Sequence, residues 1–130
     1  MNRLIRGILL VLILSGCQSN DIPEVVNENG TILNLDNLDA FVANINKGIE
    51  SQINYVMIGE GEGERDVWKL SYKDDSINVQ LRVDGKFKKE FNCKGIEFSS
   101  EKENDKYNLK GCTGDVSEDF GIVVVPNDED

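Results

Sequence analysis

The hydrophobic positions of the chain recur with different periods along its length, and each period predicts a different element. In NLDNLDAFVANINKG, residues 34–48, apolar side chains return at steps of three and four, which predicts an amphipathic helix. Beyond Gly48 the period becomes two. The clearest strand is INVQLRV, and the Asp84-Gly85 pair that follows it favours a hairpin turn.

One helix followed by five or six sequential strands predicts an α+β domain. In it, an antiparallel meander packs on a single N-terminal helix, as in a cystatin-like or inhibitor-like layer. A small β-barrel with an appended helix is the alternative. The predicted boundaries are a tether over residues 17–29, one domain over 30–126 and an acidic tail over 127–130. Four aromatic side chains are expected to form core on one face of the sheet: Tyr55, Trp68, Tyr72 and Phe87.

The first twenty residues, MNRLIRGILLVLILSGCQSN, have the three parts of an export signal. Arg3 and Arg6 precede an apolar stretch over residues 7–14, which is too short for a membrane span of about 20 residues. LSGC then resembles the lipobox of bacterial lipoproteins. That resemblance implies cleavage after residue 16, attachment of diacylglycerol to Cys17 and anchoring on the extracytoplasmic face of the cell membrane. An ordinary secretory signal and an uncleaved anchor are the alternatives.

The charge of the chain narrows its range of partners. The formal net charge is −10; without Arg3 and Arg6, 12 of the 14 basic residues remain against 24 acidic ones, a net charge of −12. Such a surface disfavours nucleic acid and anionic lipid headgroups and favours a cationic protein or ligand, although solubility alone also explains it. The absence of histidine argues against triad catalysis and against most zinc sites, so we expect no cofactor.

Three cysteines leave one unpaired unless one is lipidated. With Cys17 assigned to lipid, Cys93 and Cys112 remain, and export to an oxidising compartment would let them form a disulfide. They flank the polar turn SSEKEND, and their residue numbers sum to 205. That sum places the centre of an antiparallel hairpin between Lys102 and Glu103. Two free thiols are the alternative.

The loop GEGEGERD alternates carboxylates with glycine and is the densest acidic stretch. Calcium takes oxygen ligands from such flexible segments, and the candidate ligands are Glu60, Glu62, Glu64 and Asp66. The spacing does not match an EF-hand, so a solvated loop is the simpler interpretation and we predict no metal.

Three segments together resemble a family of small lipoproteins of Bacillus-like Firmicutes that is known only as a domain of unknown function. They are the NLDNLDAFVANINKG helix, the strands INYVMIGEGEG and VWKLSY, and the closing pattern C…I…Y-x-L-x-x-C. The resemblance covers Val25 to Pro126. In that family the first strand ends in a Glu-Gly-Asp-Pro turn, whereas GEGEGERDVW is longer and lacks the proline. No activity is implied.

These observations predict a membrane-anchored, extracytoplasmic module that binds a partner and is not an enzyme. An inhibitor or immunity-type protein acting on a cationic secreted protein is the alternative. A small hydrolase is a third interpretation. It would need a carboxyl group with a raised pKa in a cleft, and the dense carboxylates lie in predicted turns.

Overall fold

A computed structural model describes residues 21–59 and 65–126 as two sheets and one helix. Within these ranges the elements, in chain order, are β1 (Glu24–Glu28), β2 (Thr31–Leu33), α1 (Leu35–Asn46), β3 (Ser51–Ile58), β4 (Arg65–Lys73), β5 (Ser76–Val83), β6 (Lys86–Cys93), β7 (Gly95–Ser100), β8 (Asn104–Lys110), β9 (Thr113–Gly114) and β10 (Phe120–Pro126). The predicted α+β class is confirmed.

The large sheet has seven strands in the order β2-β1-β3-β4-β5-β6-β9. Strands β3 to β6 form the predicted antiparallel meander, but β1 runs parallel to β3, with Val26 opposite Val56. The parallel pair arises because α1 lies between β1 and β3 and returns the chain to the same end of the sheet. The small sheet, β10-β8-β7, is separate, and neither sheet closes, so the barrel alternative is wrong.

Strand β1 lies inside the stretch predicted as a tether. Val25 is fully buried, and Asn29-Gly30 form a turn with positive φ that leads into β2. The polar residues of this short hairpin obscured the strand in the sequence, since a five-residue strand has few alternating positions to recognise. The folded domain therefore overlaps the predicted tether of residues 17–29.

Helix α1 covers one face of the large sheet. It buries Leu38 and Phe41 and contacts β1, β3 and β7. Its first residue follows Asn34, which has a left-handed φ of 62°. With 12 residues it is short, and in the described part of the chain no helix combines the length and apolarity needed to cross a bilayer.

The Cys93–Cys112 disulfide lies where one long hairpin passes from the large sheet to the small one. The predicted register is confirmed on both sides of the bend, because Ile96 pairs with Leu109 and Phe91 pairs with Gly114, each pair summing to 205. Strands β6 and β7 therefore form one arm of the hairpin, and β8 and β9 form the other. The disulfide joins the two arms at the change of direction.

The core fills the space between the large sheet, the helix and the small sheet. Trp68 lies 6.5 Å from Phe91 and 5.3 Å from Phe120, measured between ring centroids. Tyr55 and Tyr72 are buried in the same core, as predicted. The core row of the large sheet is Ile53, Leu70, Val79 and Phe91.

The prediction for Phe87 is wrong: its side chain is 50% exposed on the opposite face of the sheet. Alternation along KFKKEFNC would place Phe87 on the same face as Phe91. However, the register of β5 and β6 shifts between Leu81 and Arg82, which moves Phe87 opposite Arg82. A β-bulge of this kind inserts one residue and reverses the alternation beyond it.

Candidate functional site

We call the face of the large sheet that points away from α1 the outer face. One row of side chains crosses six of its strands in register: Leu33, Val26, Val56, Val67, Arg82 and Phe87. Val56 at its middle is 1% exposed, whereas Leu33 and Phe87 at its ends are 44% and 50% exposed. The outer face therefore has an apolar stripe whose ends remain accessible.

A network of side-chain amides covers the neighbouring part of the outer face. The Gln80 and Asn78 amides donate hydrogen bonds of 3.0 and 2.9 Å to the Glu90 carboxylate, and Asn78 also donates to the Asn92 carbonyl at 3.2 Å. The bonds from Gln80 and Asn78 lower the pKa of Glu90 because they stabilise its charged form. Glu90 therefore stays ionised, and its negative charge remains on the outer face because the amides that bind it are neutral.

The central strands of the outer face carry only basic charge. Arg65, Lys69 and Lys73 lie four positions apart along β4, all on this face, and Arg82 lies on the neighbouring strand β5. The ion pairs between described residues involve Lys106 and Lys110 of the small sheet instead. Outer-face acids lie on the flanking strands: Glu24, Glu28 and Glu90.

The β5–β6 hairpin adds the basic residues described next and one exposed carboxylate, Asp84, which accepts a hydrogen bond of 3.0 Å from the Arg65 backbone N–H. The Arg82 guanidinium lies 6.0 Å from the centre of the Phe87 ring, a cation–π distance, and Lys86 and Lys88 flank Phe87 in the chain. We call Arg82, Lys86, Phe87 and Lys88 the basic corner. It combines an exposed aromatic ring with cations, which suits contact with an anionic, partly apolar surface.

The opposite layer, formed by α1 and the small sheet, is acidic. Its exposed carboxylates include Asp36, Asp39, Glu97, Glu101, Glu103 and Glu118. Lys106 forms an ion pair with Glu101 at 3.0 Å, and Lys110 forms one with Asp119 at 3.0 Å. The two basic residues of β8 are therefore neutralised locally, and carboxylates dominate this layer.

Three residues of that layer form what we call the acidic corner: Asp39, Phe98 and Tyr107. The Tyr107 hydroxyl donates a hydrogen bond of 2.6 Å to Asp39 Oδ1, and the Phe98 and Tyr107 rings are 5.1 Å apart. Burial, followed by the contact with Asp39, raises the pKa of Tyr107. Tyr107 therefore stays protonated and holds the Asp39 carboxylate through its hydroxyl, while its ring packs against the half-exposed ring of Phe98. A carboxylate and a ring together suit an ammonium or guanidinium group.

The structure places only some of the predicted site residues. It joins Cys93 and Cys112, and it places Asp66 on β4 between Met57 and Val83. Across residues 21–59 and 65–126 no three cysteine or carboxylate side chains are grouped to bind a metal. Four predicted residues lie outside the described residues: Cys17, Glu60, Glu62 and Glu64.

Neither corner is apparent from the sequence alone. The run KFKK contains a signal for the basic corner, because three lysines surround one aromatic residue. Only the β-bulge, however, turns that ring outward. For the acidic corner there is no local signal, since Asp39 and Tyr107 are 68 residues apart in the chain.

In comparisons with known proteins, the chain matches no family model, no curated protein and no solved structure. The resemblance to small lipoproteins of unknown function therefore stays a prediction.

Proposed function

We propose that the protein is a lipid-anchored, extracytoplasmic module that binds a cationic protein through its acidic corner. The observation that supports this proposal is the Asp39 carboxylate held by the Tyr107 hydroxyl, with the half-exposed Phe98 ring packed against the Tyr107 ring. Such a pair receives a lysine or arginine side chain through charge and through the face of the ring. The LSGC segment supports the anchor, because two acyl chains on Cys17 would hold the protein stably at a membrane.

A second candidate function uses the same corner. An inhibitor or immunity-type protein would cover the functional surface of a cationic secreted protein, and its acidic layer would steer the encounter. The two functions differ in consequence: an inhibitor abolishes the activity of its partner at equimolar concentration, whereas an accessory module leaves that activity intact or raises it.

The lipid anchor has a direct test. Replacing Cys17 with Ala should abolish the incorporation of labelled fatty acid and leave the signal segment uncut, because the thiol is the acceptor. Ser15→Ala is the matched control, since a small residue remains at that position, and it should be processed like the natural chain. Metabolic labelling and mass measurement of the membrane fraction provide the readout. Normal acylation of the Cys17→Ala chain would contradict the proposal.

The acidic corner predicts a defined loss of affinity. With a photo-crosslinking residue in place of Phe98, the full chain should crosslink in native membranes to one basic protein. Asp39→Asn should then weaken binding to that purified partner by about 10- to 100-fold, the loss of a charge-assisted hydrogen bond. Titration calorimetry measures it.

Asp36→Asn is the control for this experiment, because Asp36 is also exposed on the first turns of α1 but makes no contact with Tyr107. It should change the affinity little. The natural chain should also associate more slowly as salt rises, since the encounter is steered by charge. Equal losses for Asp36→Asn and Asp39→Asn would show general electrostatic attraction and would refute a role for the corner.

A further inference from the structure

The point at which the chain enters the domain limits how far the domain can stand from a membrane. The Asn54 backbone N–H donates a hydrogen bond of 2.9 Å to the Pro23 carbonyl, so the chain enters beside the first half of β3. Cys17 is four residues before Asp21, and four residues span at most about 14 Å. If Cys17 is lipidated, as the proposed function requires, the domain lies directly against the lipid headgroups.

The surfaces near this entry point differ in charge. At the entry end of the large sheet, Glu50, Asp74 and Asp75 are exposed carboxylates. Three lysines at this end, Lys47, Lys73 and Lys94, match these three carboxylates in number, so the entry end has no basic excess. The layer of α1 and the small sheet is acidic. Anionic headgroups would repel that layer and would not be attracted to the entry end.

The outer face has the complementary properties. Its central strands carry basic side chains beside the apolar stripe, and the basic corner adds an exposed aromatic ring with the Arg82 guanidinium 6.0 Å from its centre. Basic residues attract anionic leaflets, and exposed apolar side chains enter the interface between headgroups and acyl chains.

The positions of the entry point and the basic corner define the orientation. The chain enters at the end where β3 begins, and β4, antiparallel to β3, ends there at Lys73. The basic corner lies at the other end of β5, and eight residues of strand span about 26 Å. An upright domain would hold Phe87 well away from the bilayer. Both the entry point of the chain and Phe87 reach the membrane surface only if the large sheet lies flat on the bilayer.

We propose that the outer face lies flat on the anionic bilayer, with the Phe87 ring inserted among the headgroups and the acidic corner pointing away from the membrane. The proposal rests on the lipid anchor proposed above. It assigns the two sides of the domain different partners: a lipid surface for the outer face and a cationic protein for the opposite layer.

Two exposed phenylalanines provide a matched test, because Phe87 and Phe98 are each 50% exposed but lie on opposite sides of the domain. Phe87→Trp and Phe98→Trp are made separately in the mature lipoprotein, which is reconstituted in vesicles of phosphatidylglycerol and phosphatidylcholine with brominated acyl chains. Bromine quenches indole at close range. Trp68 fluoresces in both variants and sets a common background. Above that background, the fluorescence of the tryptophan at position 87 should be quenched, and that of the tryptophan at position 98 should be retained.

The charge requirement is tested in the same vesicles. Phosphatidylcholine alone, or the double change Arg82→Gln and Lys88→Gln, should reduce the quenching at position 87. Equal quenching at both positions, or none at position 87, overturns the flat orientation. Absence of quenching at position 87 is also the result expected if an anionic protein, and not the bilayer, covers the outer face. Mass measurement separates the two proposals: an unacylated Cys17 overturns both, whereas an acylated chain without quenching overturns the orientation alone.

Discussion

Replacing Phe91 with Ala is expected to lower the free energy of unfolding by about 3–5 kcal/mol, the range for truncating a buried aromatic residue. Phe91 is 1% exposed and packs edge-on against Trp68 and Phe120, which belong to the large and the small sheet. Its loss leaves a cavity at the junction of the two sheets, where three strands would have to move together to close it. Chemical denaturation, followed by circular dichroism, measures the change.

Phe87→Ala is the control, since the two phenylalanines are four positions apart on β6 and face opposite ways. Because Phe87 is half exposed, its truncation should cost less than about 1 kcal/mol. Similar losses for the two variants would mean that the bulge between Leu81 and Arg82 does not exist in solution, because Phe87 would then also be core.

Replacing Cys93 and Cys112 together with Ala is expected to lower the free energy of unfolding by about 3 kcal/mol. The two cysteines are 19 residues apart, so the disulfide mainly removes conformational freedom from the unfolded hairpin. For a domain of this size, such a loss should lower the melting temperature by roughly 10–20 °C.

Reduction of the natural chain supplies the control for this experiment. A reducing agent should lower its melting temperature to that of the double variant and should leave the double variant unchanged. Calorimetry of both proteins, with and without reductant, provides the four values. A natural chain that is insensitive to reductant would contradict the disulfide.

The parts of the fold that the sequence predicts are those with local causes. The face of α1 follows from apolar residues at steps of three and four, and the meander follows from alternation and from the turn at Asp84-Gly85. The register of the hairpin follows because the residue numbers of antiparallel partners add up to a constant. The pair Cys93 and Cys112 fixes that constant.

The remaining features depend on contacts between distant parts of the chain. Strand β1 is stabilised by pairing with β3, which lies beyond the whole of α1, so its own five residues contain little signal. The outward position of Phe87 depends on one bulge, and alternation does not show where a bulge lies. The acidic corner exists only because the small sheet folds back over α1, which brings Tyr107 to Asp39.

The parallel pairing of β1 also determines where a soluble form of the protein can begin. A chain that starts at residue 30, where the sequence alone would place the domain boundary, lacks β1 and leaves β2 without its partner. The backbone of β3 would then be an unpaired edge, with the Tyr55 side chain uncovered beside it. Such an edge pairs readily with a second copy and leads to aggregation. Strand β1 is therefore a protective strand, because it occupies the edge of β3 that would otherwise be free to pair with a second copy.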